Sequence, residues 1–183
     1  AASDVYKRQL FGWAFVRRQL RSTSPMLDMR LFRIPTFTGA LLVNLLSVLA
    51  LVGFLYFIAQ HLQLIVGLSP LWAGVSLLPC LAMMIVSGLA VVPIAKRLDA
   101  RVIVPVALMF SLIGYLLVAL VADNGSLGWM IVASVSLGLG IGAAETVSND
   151  LILTSAPPAK AGAASAVSET AYELGACLLY TSP

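Results

Sequence analysis

Charge is scarce in this chain, and so are histidine and cysteine. Only 10% of the residues are charged, while 60% are apolar, with one histidine and two cysteines. So little charge across so much apolar surface excludes an ordinary soluble domain. Cys80 and Cys177 have no partner at metal-ligand or redox spacing, so neither a disulfide framework nor a metal site is implied. No nucleophile sits at usable spacing from a base, and no glycine-rich loop follows a strand, so no cofactor is implied and an enzyme fits least well. The net charge of +3 is compatible with nucleic-acid binding, but no basic patch is interleaved with aromatics, which argues against it.

What the chain has instead is long apolar runs, at 36–59, 71–95, 102–121 and 128–153. Apolar stretches of about 20 residues match the hydrocarbon thickness that a helix must cross. All eleven Lys and Arg residues fall in alternate gaps between these runs. Lys7, Arg8, Arg17, Arg18, Arg21, Arg30 and Arg33 precede the first run; Lys96, Arg97 and Arg101 follow the second; Lys160 follows the fourth. The gaps at 60–70 and 122–127 have none. Cationic loops alternating with uncharged ones mark the cytoplasmic and opposite sides of a membrane. The predicted fold class is therefore all-α integral membrane: four complete transmembrane helices, entered from the cytoplasm, plus partial flanking helices, with a fifth span beginning near Ala161. The basic loops also meet anionic lipid.

The organisation reads as follows. Residues 1–9 and 176–183 read as non-native ends that resemble translated adapter read-through. Residues 10–35 read as the end of a preceding helix followed by a basic cytoplasmic linker punctuated by Pro25 and Pro35. Residues 36–175 form a partial transmembrane bundle. Four and a half such helices rarely enclose a polar pathway, so the chain is expected to be a fragment whose partner is the N-terminal half of the same polypeptide.

Several polar residues stand inside the apolar runs. Asn44 and Ser47 share a face of the first span; an Asn there is either interhelical glue or a pathway contact. His61, at the outer gap, fits a proton relay or an interfacial side chain. Pro79 bends the second span. Asp99 lies among Lys96, Arg97 and Arg101, as a solvated surface cluster or as a cytoplasmic latch between helix ends. Gly138, Gly140 and Gly142 form a GLGIG run, a small-residue face for close helix packing.

Glu145, Ser148 and Asn149 follow on one helix face. Counting about 1.5 Å per residue, Glu145 falls in the cytoplasmic half of the bilayer. Glu169 and Glu173 are four apart and share a face with Ser165 and Tyr172. If their helix starts at Ala161 and spans, they lie about 12 Å and about 18 Å deep. Two carboxylates in low dielectric cannot both ionise cheaply, so such a pair can take up and release a proton. An ionisable residue at membrane depth is a functional-site hypothesis by default. The alternative is a re-entrant or surface helix with both acids in water.

These residues resemble the major facilitator superfamily, and within it the fourteen-helix drug:proton antiporters of the quaternary-ammonium and methyl viologen exporter type. The resemblance rests on SPMLDMRLFRIPTF, QLIVGLSPLWAG, GLGIG and, most specifically, APPAKAGAASAVSETAYELG. It implies a C-terminal-half fragment with spans equivalent to helices nine to twelve and the start of thirteen. Glu169 and Glu173 then fall where related exporters have acids implicated in cation recognition or proton coupling. Ser168 stands where some relatives have a further acid. Asp99, with Arg97 and Arg101, resembles a degenerate inner-loop gating motif that lacks its usual glycine.

The expectation is a fragment of a secondary transporter in the bacterial inner membrane. Its substrate would be an organic cation, exchanged for protons. Glu173, Glu169 and Glu145 would be the proton-coupling and cation sites, with Asn149, Asn44 and Tyr172 as polar pathway residues and Asp99, Arg97 and Arg101 as a cytoplasmic gate. A transporter of another small solute and a non-transporting membrane subunit remain as alternatives.

Overall fold

The computed structural model describes residues 31–121 and 127–180, together with residues 10, 11, 13, 14, 17 and 18. The end segments 1–9 and 181–183, most of the linker including Pro25, and the outer turn at 122–126 lie outside the described residues. Among the described residues there are five long helices and no strand: α1 (Pro35–Leu64), α2 (Pro70–Ala95), α3 (Ala100–Val121), α4 (Leu127–Thr154) and α5 (Ala161–Tyr180). Short 3-10 turns at Leu31–Arg33 and Pro158–Lys160 precede α1 and α5.

Pro35 and Pro70 open α1 and α2 at positions where a missing N–H costs nothing. α1 continues five residues beyond the apolar run at 36–59. Its stop signal is Gly67, at φ 75°, not Gln60. Only glycine takes that left-handed conformation freely. The Leu68 N–H then bonds back to the Leu62 carbonyl at 2.9 Å, closing the helix end. His61 and Leu62 are thereby drawn into the core. Pro79 and Pro93 both lie inside α2, and Pro105 lies inside α3.

α1 to α4 are long and apolar enough to cross a membrane, and the chain is an integral membrane protein. α4 is the hub: it packs against all four other helices. Its glycines explain the closeness. A Cβ on Gly138 would strike the Cys80 carbonyl, and one on Gly142 the Met84 carbonyl and Ser87 Oγ, so this edge of α4 meets the α2 backbone. A Cβ on Gly140 would strike the Ala107 carbonyl and Ser111 Oγ of α3. Gly114 of α3 fits in the same way against Leu137. Two hydrogen bonds cross these contacts. Ser87 Oγ donates to the Gly138 carbonyl at 3.2 Å, and Ser136 Oγ donates to the Phe110 carbonyl at 2.9 Å.

α5 runs alongside α1 in the same direction. Near its start, Ala164 and Val167 pack with Phe37 and Ala40. Three turns on, Gly175 lies against the Leu45 carbonyl and Val48. α5 thus packs along a membrane-spanning helix, though it is not itself among the four helices long and apolar enough to cross a membrane.

Candidate functional site

The carboxylates come from α4 and α5. On α5, Ala164, Val167, Ser168, Ala171 and Gly175 are buried. They are the stripe that packs on the bundle. Ser165, Glu169, Tyr172 and Glu173 occupy the next stripe and are exposed, because residues three and four apart share a helix face. On α4, Glu145 is half-buried and Asn149 exposed on the edge toward α5. The Tyr172 hydroxyl is within electrostatic reach of Glu145, Glu169 and Glu173 alike. Acids separated by up to 28 residues in sequence thus come within electrostatic reach of one phenol.

The level of these groups agrees from both helices. Glu145 stands nine residues from Thr154, about 13 Å up α4, and Glu169 eight residues from Ala161, about 12 Å up α5. The two helices are locked at that height. Ser168 Oγ donates to Asn149 Oδ1 at 2.9 Å. Ser168 carries this interhelical bond because it lies on the buried stripe of α5 while its neighbour Glu169 does not. The signal for Ser168 is in the sequence: 164, 168 and 171 are spaced four and three apart, one helix face with a hydroxyl in the middle. The family resemblance marks it only as the place of a missing acid.

Asn44 lies on α1, buried, and its Oδ1 has no hydrogen-bond partner among the described residues. The Ser148 Oγ on α4 is in the same condition. Leaving a buried polar atom unpaired costs about 1–3 kcal/mol, so such atoms point to a water, a ligand or a further segment. Ser148 borders a cleft of about 660 Å³ at the end of the bundle where α1 and α3 begin. Asp99, Arg101, Pro35 and Thr36 line it too.

Asp99 caps α3, its carbonyl accepting the Val102 and Ile103 N–H groups. Its side chain and those of Arg97 and Arg101 are exposed. Of the three, Arg97 does not line the cleft. His61 is nowhere near the carboxylates. It lies in the last turn of α1, buried and stacked on Phe57 at 5.9 Å, with Nε2 unpartnered. No group of three His, Cys, Asp or Glu side chains among the described residues is placed to hold a metal ion.

Comparison with known proteins gives a consistent family. The Major Facilitator Superfamily model matches residues 6–179. The chain is 51% identical over 165 residues to the multidrug efflux pump LfrA of Mycolicibacterium smegmatis, covering 90% of this chain and 33% of the relative. It is 35% identical over 166 residues to the methyl viologen resistance protein SmvA of Salmonella typhimurium, again 90% of this chain and 33% of the relative. It is 31% identical over 166 residues to the tetracenomycin C resistance and export protein of Streptomyces glaucescens, 90% of this chain and 30% of the relative. The chain therefore spans about a third of the length of these relatives.

Proposed function

The chain belongs to the Major Facilitator Superfamily, and on that footing we propose that it forms part of a secondary transporter exporting lipophilic cations in exchange for protons. The observation that carries this reading is the cluster of Glu145, Glu169 and Glu173 around Tyr172. A carboxylate at membrane depth is stabilised by either a proton or an organic cation. Two ligands competing for one acid are sufficient for exchange. Asn149 and Asn44 offer uncharged hydrogen-bond partners along the same route, and the Tyr172 ring offers a face to a cation.

Three further features support the reading. Multidrug and methyl viologen resistance proteins are among the relatives. The spans contain no Lys or Arg beyond Arg101 in the first turn of α3, which favours a cationic over an anionic solute. The basic turns 96–101 and around Lys160 fall on one side of the bundle, the side that the positive-inside rule assigns to the cytoplasm of a bacterial inner membrane. On this reading Asp99 and Arg101 meet the start of α1 as a cytoplasmic gate, Arg97 flanks them, and the rest of the polypeptide supplies the facing half of the pathway. The division into a linker at 10–35 and a partial bundle at 36–175 belongs to the same proposal, and no catalytic step is assigned to any residue.

The test uses the whole polypeptide that carries this chain. Inside-out vesicles, acidic within, are given a fluorescent lipophilic cation. Gradient-driven uptake that Glu173→Gln abolishes is the expected result. Uptake that ignores the gradient removes the exchange mechanism. Uptake of an organic anion in place of the cation moves the protein to another solute class within the same family.

A further inference from the structure

Ser148 on α4 is 0% exposed and its Oγ has no hydrogen-bond partner among the described residues, yet it lines the cleft of about 660 Å³ where α1 and α3 begin. Thr36, Asp99 and Arg101 stand exposed at the mouth of that cleft. Beyond them Ser148 is the one polar side chain in the lining. Val43, eight residues along α1 from Pro35, puts the inner end about 12 Å up. Glu145 stands about 13 Å up, three residues from Ser148 on the same face of α4.

The buried hydroxyl decides what fills the cleft. An alkyl chain would leave Ser148 Oγ unpaired, whereas water pairs it. A water takes about 30 Å³ of liquid volume, so a file of several fits. The charges of Asp99 and Arg101 keep the mouth wet. Asn44, next to the lining residue Val43, carries a second buried oxygen without a partner. It extends the demand for water inward, to the level of Glu145.

We infer that this cleft is a water-filled proton route joining the cytoplasm to Glu145 by way of Ser148, apart from the path taken by cargo. Its use by protons rests on the transport reading; its water does not. Glu145 gives its proton to the file of waters. The Ser148 hydroxyl accepts one hydrogen bond and donates another, and a water at the mouth carries the proton off. No residue of α5 lines the cleft. Glu169, Tyr172 and Glu173 stand on the exposed stripe of α5, so cargo held there meets Glu145 from outside the cleft. Lys96 and Asp150 line a separate cleft between α2 and α4. The charges on the route itself are therefore Asp99 and Arg101.

Ser148→Cys is made in the whole polypeptide that carries this chain and placed in inside-out vesicles. A membrane-impermeant methanethiosulfonate is added from the cytoplasmic face. It attacks the thiolate, which forms readily only where water reaches. Labelling about tenfold faster than in the unsubstituted protein, with its Cys80 and Cys177, is expected, since each unit of thiol pKa is worth tenfold. Gly39 lines the cleft with nothing within 4 Å of a Cβ, so Gly39→Phe should narrow it and slow the labelling about tenfold. The attached reagent is itself a plug, introduced after folding. Gradient-driven cation uptake should then fall about tenfold, while gradient-free exchange of labelled for unlabelled cation, which moves no proton, stays within about twofold. A thiol that reacts no faster than the background overturns the inference, because water does not then reach Ser148. A plug that leaves gradient-driven uptake intact overturns it too, and so does one that stops exchange as well, which makes the cleft a cargo path. An unsubstituted protein that exchanges no cation removes the transport reading and the proton with it, and the labelling rate then decides the water alone.

Discussion

Ser168 on α5 donates its hydroxyl proton to Asn149 Oδ1 on α4 at 2.9 Å, across a contact where the two helices otherwise touch little. The bond ties α5, which packs chiefly on α1, to α4 near the level of the acids, and so bears on where Glu169, Tyr172 and Glu173 stand relative to Glu145. Interhelical hydrogen bonds in membrane proteins average about 0.6 kcal/mol. Ser168→Ala is therefore expected to lower thermal stability by less than about 1 kcal/mol while reducing transport severalfold, because geometry at the carboxylates is lost before the fold is. Ser168→Thr keeps the hydroxyl and should restore much of the activity. Full activity in the Ala variant would detach this bond from function.

The glycine contacts of α4 make a sharper prediction about folding. Gly138 and Gly142 face backbone carbonyls of α2, which cannot rotate aside. Overpacking a filled core costs about 1–3 kcal/mol. Gly142→Ala and Gly138→Ala should lower the midpoint of heat-induced aggregation in detergent by several degrees. Gly39→Ala is the control: nothing lies within 4 Å of a Cβ there, and an alanine in a helix interior gains up to about 1 kcal/mol over glycine. Equal behaviour of the three variants would sink the close-packing account.

Most of the helical layout could be read from the chain because one signal, apolar length, dominates in a membrane. The alternation of cationic gaps then orders the helices. Terminators were harder: Gln60 looked like the end of the first span, yet Gly67 ends it, since a polar residue is tolerated at a helix's last turns whereas a left-handed glycine stops it. In the third span Ser111, Gly114 and Tyr115 interrupt an apolar run without showing what they face. Its Gly114 and Ser111 prove to be half of the α3–α4 contact, a pairing that no single helix reveals. Of the candidate site, the spacing of Glu169, Tyr172 and Glu173 gave their shared face directly. That Glu145, 27 residues before Tyr172, comes within electrostatic reach of its hydroxyl is a matter of tertiary packing and needed the structure.

His61 separates a structural from a functional histidine. Its ring is buried on Phe57, and it stands 26 residues along α1 from Pro35, about 39 Å up the helix, whereas Glu145 is about 13 Å up from the same side. No proton passes directly between groups so far apart. His61→Leu replaces an unpartnered buried nitrogen with an apolar side chain of similar volume, a change that is near neutral or stabilising. Gradient-driven transport should survive it, and the thermal midpoint should hold or rise. Loss of proton coupling in a well-folded His61→Leu protein would restore the relay reading.

Glu145 and Glu169 come to the same height from opposite helices, and both lie within electrostatic reach of the Tyr172 hydroxyl. If the two acids act as one site, their substitutions cannot be independent. Each of Glu145→Gln and Glu169→Gln is expected to cut gradient-driven uptake by tenfold or more, near the ~1–3 kcal/mol typical of coupled sites. The double variant should be scarcely worse than either alone, since removing the first acid already abolishes the shared site. Independent acids would instead multiply their losses, giving a hundredfold defect or more. Tyr172→Phe supplies the check on the shared phenol: it keeps the ring and removes the hydroxyl. In the wild-type background it should weaken uptake, whereas in the double variant it should change nothing further. Multiplicative losses in the double variant, or an undiminished effect of Tyr172→Phe within it, would mean that the acids contact the cargo separately.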